Sequence, residues 1–227
     1  MKAVFIENNT DMEVLIMFNF EYYTPTKVIF GRNSENKLVE LLQEYGAHKV
    51  LIHYGGKSAL KSGLINKIKT ALDNSEIPYV ELGGVVPNPH LSKVREGIEL
   101  GKREKIDFIL AVGGGSVIDS AKAISYGLAE PEYDVWELFR HERKAEKFLP
   151  VASVLTIAAS GSETSNSCVI TNEDTGEKRS YNDNISRPKF TIMNPELTMS
   201  LPDYQTESGC ADIMMHTIKK RRRYVLW

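Results

Sequence analysis

Asp212 and His216 stand four positions apart in Gln205 to Lys219, a stretch whose composition suits a helix, so both side chains should project from one face. A carboxylate and an imidazole held together suit Fe2+, Zn2+ or Mn2+ better than Ca2+ or Mg2+. Two donors are only a half-site, because a catalytic metal normally has three or more protein ligands. Taken alone, the pair is also common helix decoration, contributing about 0.2–0.5 kcal/mol.

A second chemistry is written in Gly113-Gly114-Gly115-Ser116-Val117-Ile118-Asp119-Ser120-Ala121-Lys122, which follows the apolar run Asp107 to Val112 directly. Glycines there let a pyrophosphate approach the backbone without meeting a Cβ, and the free N–H groups of the helix that follows favour its charge. Ser116 and Asp119 have the spacing of a capping box. The spacing is not G-x-G-x-x-G, so an ordinary Rossmann dehydrogenase is not indicated. A ligand-free βα turn is the plainer alternative.

A third cluster, Gly55-Gly56-Lys57-Ser58, follows the β-branched run Lys49 to Tyr54 and carries no carboxylate. An acidic residue at such a turn would accept hydrogen bonds from a ribose 2′-OH and repel a 2′-phosphate, whereas a hydroxyl and an ammonium welcome the phosphate. NADP(H) is therefore expected over NAD(H), with Lys57 and Ser58 as the contacts. A solvated turn lysine is the plainer reading of Lys57.

The elements that must hold these residues alternate. Strands are expected at Lys27 to Phe30, Lys49 to Tyr54, Tyr79 to Leu82 and Asp107 to Val112. Between them, apolar positions at helical spacing mark helices over Glu35 to Tyr45, Leu60 to Leu72 and Leu91 to Lys105, the last after the Pro87-Asn88-Pro89 turn. This order predicts an α/β fold with a mainly parallel sheet covered on both faces and ligands at the strand C-terminal ends. Further on come Leu149 to Ile157, a polar loop, a hairpin over Cys168 to Lys178, a strand at Phe190 to Met193 and a helix from Gln205. Residues 1–16 show no clear period and read as a leader outside the core; 17–203 read as the dinucleotide-binding domain and 204–227 as a first helix of a further domain.

Several ordered segments carry a family resemblance: GGGSVIDSAK at 113–122, LTIAASGSET at 155–164, DIMMH at 212–216, YYTPTKVIFG at 22–31 and MNPELTMSLP at 193–202. Together they resemble the iron-containing (group III) alcohol dehydrogenases, with the nearest likeness to NADPH-dependent butanol dehydrogenases, from about Met17 to Thr217. The resemblance implies a dehydroquinate synthase-like nucleotide-binding domain followed by an all-α metal-binding domain. It implies that Gly113, Gly114, Gly115 and Ser116 hold the pyrophosphate with Asp119 in support. Thr156, Ser160, Ser162 and Glu163 would form a second cofactor loop on the nicotinamide side, with Lys178 lining the same cleft, and Asn88 is a further candidate cofactor-binding residue. Asp212 and His216 would share Fe2+ or Zn2+ with two histidines of the following domain, and His48, His53, His90 and His141 match neither of those.

The implied reaction is alcohol ⇌ aldehyde, with hydride passing to or from the nicotinamide beside a Lewis-acid metal. The basic run Lys219 to Arg223 and the tail to Trp227 depart from the family, which makes a C-terminally truncated chain the expectation. Two rivals stand beside this reading: a non-catalytic dinucleotide-binding fragment, and a sugar-phosphate cyclase of the dehydroquinate synthase type, against which TIAASGSE and DIMMH argue.

Composition agrees with a small-molecule partner. With 28 basic and 30 acidic side chains the formal charge is −2, so no global field favours nucleic acid or an anionic membrane. The apolar run Met12 to Phe20 is far short of the roughly 18–20 residues a bilayer requires. Cys168 and Cys210 have no C-x-x-C spacing and fit packing in a reduced, cytoplasmic protein. A homo-oligomer is expected of the full-length family.

Overall fold

The computed structural model describes residues 4–6, 13–15, 23–56 and 60–225. Its centre is a six-stranded sheet built from β3 (Lys27–Phe30), β4 (Val50–Tyr54), β5 (Tyr79–Leu82), β6 (Phe108–Gly113), β7 (Val151–Leu155) and β10 (Phe190–Met193). The spatial order is β3-β10-β7-β6-β4-β5, and every neighbouring pair is parallel. A parallel strand buried on both faces needs apolar side chains in both directions. β6 meets that need, with Phe108, Ile109, Leu110, Ala111 and Val112 all 0% exposed.

The period of two along the strands sorts those side chains into two cores. Val50, Ile52, Phe108, Leu110, Val112, Ala152, Val154, Phe190 and Ile192 meet α1 (Leu38–Glu44) and α2 (Leu64–Asp73) on one face. Leu51, Ile109, Ala111, Val151 and Leu155 meet α3 (Leu91–Glu104), α4 (Gly115–Ala129) and the short α5 (Trp136–Phe139) on the other. The antiparallel hairpin of β8 (Ser167–Asn172) and β9 (Glu177–Asn182) adds Cys168, Ile170 and Tyr181 to this second core. It extends beyond the expected Lys178.

Two expectations need correction. The helix read across Leu60 to Leu72 is interrupted, because Gly63 takes a left-handed φ of 76° and α2 begins only at Leu64, leaving Leu60 47% exposed. Apart from the main sheet, β1 (Val4–Ile6) pairs antiparallel with β2 (Glu13–Leu15). Of the two thiols read as packing residues, Cys168 is buried but Cys210 is exposed. The expected strand start at Phe18 to Phe20 lies outside the described residues. The last helix, α6 (Asp203–Val225), starts two residues before the expected Gln205.

Candidate functional site: a glycine turn and its second wall

The site forms at the carboxyl ends of β6 and β7, where Gly113 pairs with Leu155. Gly114 is the N-cap of α4, with φ −94° and ψ −168°, and no side chain caps that terminus. The first N–H groups of a helix have no partner within it, so this first turn offers donors and a positive dipole end to an anion. Ser116 lies half-buried in the same turn.

None of Gly113, Gly114 and Gly115 has a positive φ, so their glycine identity reflects space rather than backbone conformation. A Cβ on Gly113 would lie 2.6 Å from Val117 Cγ2, while one on Gly114 would overlap Ile157 Cγ2 and one on Gly115 would overlap Ser160 Oγ. At Gly114 and Gly115 the clearance expected for a pyrophosphate is thus used first by the protein's own 156–162 segment. That segment is the second wall of the site.

The expected capping box between Ser116 and Asp119 does not form, because α4 begins at Gly115 and Asp119 turns away from its own N-terminus. Its carboxylate instead accepts from Ser162 Oγ at 2.6 Å and from the Val169 amide at 3.1 Å. Burial raises the pKa of Asp119, against hydrogen bonds from Ser162 and Val169 and the charges of Lys122 and Lys178.

The second wall is pinned from beneath. Thr156 N donates to Gly113 O at 3.1 Å, Ser162 and Glu163 are buried, and Ser160 is exposed above the turn. Lys122, 0% exposed, donates from Nζ to Ser162 O at 2.8 Å, Ser162 Oγ at 3.2 Å, Ser165 O at 2.8 Å and Ser167 O at 2.9 Å. Burial lowers its pKa to about 8, the nearby Asp119 and Glu163 opposing the fall. The sequence reading passed over Lys122. The signal was present, since α4 is buried almost all round, from Val117 to Gly127, and a lysine in such a helix must find acceptors.

Two of the candidate residues, Asn88 and Lys178, meet in the structure. Lys178 Nζ donates to Asn88 Oδ1 at 2.7 Å, with Asn88 held at φ 57°. The Pro87-to-Pro89 turn is fastened to β8 by Thr171 N donating to Pro89 O, and Glu173 in the hairpin turn accepts from Leu91 N and Ser92 N at the start of α3.

Gly55 lies beside this turn. Its carbonyl accepts from Gly84 N at 2.9 Å, and a Cβ there would sit 3.7 Å from Val117 Cγ2 in the first turn of α4. Gly56 has open space around it. Lys57 and Ser58 lie outside the described residues. Beneath, His53 Nδ1 is 2.9 Å from Leu82 O and Nε2 is 2.9 Å from Ser120 Oγ. A carbonyl only accepts, so Nδ1 carries the hydrogen and Nε2 accepts from Ser120.

α6 passes the second wall at Gly209, where a Cβ would lie 3.8 Å from Ala158 O. One turn on, His216 Nε2 and Asp212 Oδ1 are 3.5 Å apart, with the side chains 73% and 65% exposed. No group of three or more His, Cys, Asp or Glu side chains placed to hold a metal occurs among the described residues. The pair is two donors of a centre and does not by itself fit a bound catalytic ion. A groove of about 660 Å³ between Lys49, Asp73, Tyr79 and Glu104 opens at the amino ends of β4 and β5. Ligands of open parallel sheets sit at the carboxyl ends, so this groove is not the candidate site.

Comparison with known proteins follows the same lines. Residues 25–195 match the family model "Iron-containing alcohol dehydrogenase". NADH-dependent butanol dehydrogenase A of Clostridium acetobutylicum is 40% identical over 203 residues, 89% of this chain and 52% of that protein. NADPH-dependent aldehyde reductase YqhD of Escherichia coli is 34% identical over 206 residues, 90% of this chain and 52% of that protein. The crystal structure of NADH-dependent butanol dehydrogenase A from Thermotoga maritima superposes with a TM-score of 0.84 at 43% identity, over 88% of this chain and 50% of that one. The chain thus spans about half the length of the curated relatives it matches. With the parallel sheet, the uncapped glycine turn and this match in agreement, the chain belongs to the iron-containing alcohol dehydrogenase family.

Proposed function

We propose that this chain binds a nicotinamide dinucleotide across the carboxyl ends of β4, β6 and β7 and serves alcohol–aldehyde oxidoreduction on a small substrate. The observation that carries the reading is the uncapped N-terminus of α4, opening at the sheet's ligand end under a wall of hydroxyl-bearing residues. The amides of Gly115 and Ser116 would hold the pyrophosphate. Thr156 and Ser160 would orient the nicotinamide, and Lys178, placed by Asn88, would add positive charge to the cleft. When bound, the nicotinamide supplies or accepts the hydride.

Asp212 and His216 would be two donors to Fe2+ or Zn2+ in the complete family centre. Two donors fall short of the three or more protein ligands a catalytic metal normally has, and no larger group occurs among the described residues. We place the protein in the reducing cytoplasm on its two free thiols and read the complete protein as a homo-oligomer. Among the described residues, no helix is long and apolar enough to cross a membrane.

For the cofactor we propose NADP(H), because the Gly55-to-Ser58 turn carries a lysine and a serine and no carboxylate. A second reading, NAD(H), is favoured by the names of relatives at 40–43% identity, which are called NADH-dependent. A fluorescence titration of the chain with NADPH and NADH separates them. A charge-assisted phosphate contact contributes about 1.5–3 kcal/mol, roughly ten- to a hundredfold in affinity. NADPH should bind tighter by that factor, and Ser58→Asp should remove the preference. Tighter NADH would select the second reading, and no binding of either would sink both.

A further inference from the structure

Lys122 is fully buried on the side of α4 facing the second wall, and its Nζ has four oxygen partners within 3.2 Å, three of them backbone carbonyls spread over residues 162–167. A helix side chain that gathers carbonyls from a loop fixes that loop more firmly than a hydroxyl contact, because hydrogen bonds from a charged donor are about twice as strong as neutral ones. Lys122 and Asp119 work in opposite senses on the same segment. The ammonium donates to the carbonyls of Ser162, Ser165 and Ser167, the carboxylate accepts from Ser162 Oγ and Val169 N, and Ser162 Oγ touches both. The charged or titratable groups facing the ammonium are Asp119 on α4, Glu163 in the loop, Cys168 on β8 and Arg187 before β10. Cys168 remains a thiol, its pKa pushed up by burial.

We propose that Lys122 is a positioning residue of the dinucleotide site: its ammonium holds the 156–167 segment down over the glycine turn, so that Ser160 and Thr156 stand beside the uncapped end of α4. This rests on the reading of the site as dinucleotide-binding, but the positioning itself is measurable without ligand. The consequence is long-range, since Lys122 reaches no surface from which it could touch a cofactor and acts only through the wall it holds.

The test compares the 227-residue chain with Lys122→Met, which keeps length and apolar volume but removes the donors, and with Lys122→Arg, which restores charge and donors. Amide hydrogen exchange read by mass spectrometry reports the 156–167 segment and the β6 and β7 strands separately. In Lys122→Met the segment should exchange at least tenfold faster while the strands stay protected, and NADPH affinity should fall at least tenfold. Lys122→Arg should recover most of both. Wild-type protection and affinity in Lys122→Met would overturn the proposal, as would an Arg variant that fails as badly as Met, since bulk packing rather than donation would then be at work. If Lys122→Met does not melt cooperatively, Lys122→Gln, which stays polar but loses the charge and the reach to the carbonyls, replaces it. Faster exchange confined to the segment, by about threefold or more, supports the proposal, and unchanged exchange overturns it. If the wild-type chain binds neither NADPH nor NADH, the functional reading fails, and the exchange comparison alone still decides the role of Lys122.

Discussion

Two regions of this molecule carry residues with chemistry, and they are built in opposite ways. Around the glycine turn three charged side chains are braced within the chain: Asp119 by Ser162 and Val169, Lys122 by four oxygens, Lys178 by Asn88. On α6, Asp212 and His216 meet each other at 3.5 Å and stand mostly in solvent, beside Ile213, Met214 and Met215, which are 62–65% exposed. A site whose donors are already held needs only its ligand, whereas a site whose donors are free needs further groups before it can hold anything in fixed geometry. Under the proposed function, the first would be a preorganised binding surface and the second two candidate donors without a shell.

The contrast predicts unequal costs of mutation. Asp119→Ala should be the most damaging, since it leaves the Ser162 hydroxyl hydrogen and the Val169 amide without their acceptor and removes a nearby opposite charge from Lys122, a loss of about 2–6 kcal/mol at roughly 1–3 kcal/mol for each unsatisfied group. A denaturant melt showing less than about 1 kcal/mol would mean that the network is not braced as described.

Next comes the support under the turn. Burial lowers the pKa of His53 from its ordinary 6.5 to about 4, with the charge of Lys93 adding to the fall and the hydrogen bond to Leu82 opposing it. Between those values the unfolded chain binds more protons than the folded one, so stability is full above about pH 6.5 and drains away as pH falls toward 4. The full depression corresponds to roughly 3 kcal/mol. His53→Gln, neutral at every pH, should show a flatter stability profile in that window. An identical slope in both proteins would remove His53 from the account.

The smallest effect belongs to α6. Asp212→Ala and His216→Ala should each change stability by no more than about 0.5 kcal/mol, as for exposed ion pairs, and should leave dinucleotide affinity untouched. A destabilisation above about 1 kcal/mol would show that α6 is integrated into the fold, and the comparison between the two regions would collapse.

Much of the sheet was legible in the sequence because parallel strands announce themselves as apolar runs closed by glycine or proline. β3, β5 and β10 fall on the residues that such runs mark, and Gly113 closes β6 as expected. The interruption at Gly63 was not legible, since Leu60, Leu64, Ile65, Ile68 and Leu72 keep helical spacing straight through it and nothing local distinguishes a left-handed glycine from a tolerated one. The glycine turn itself was readable as a motif, but its partners were not. Asp119 reaches residues 43 and 50 positions away and Lys122 reaches over 40 to 45, so a local rule assigned Asp119 to a capping box three residues back. Local spacing locates donors and acceptors; tertiary contact decides which of them meet.

The most direct test of the difference between the two regions is one titration of the 227-residue chain with NADPH, run in excess EDTA and again with added Zn2+ or Fe2+, with butanal supplied at saturation of the dinucleotide. A braced dinucleotide site beside an unfinished metal pair predicts the same affinity within about twofold under all conditions and no oxidation of the bound NADPH, because two exposed donors give the substrate no fixed place. Binding that requires the metal, or metal-dependent oxidation abolished by His216→Ala, would contradict it.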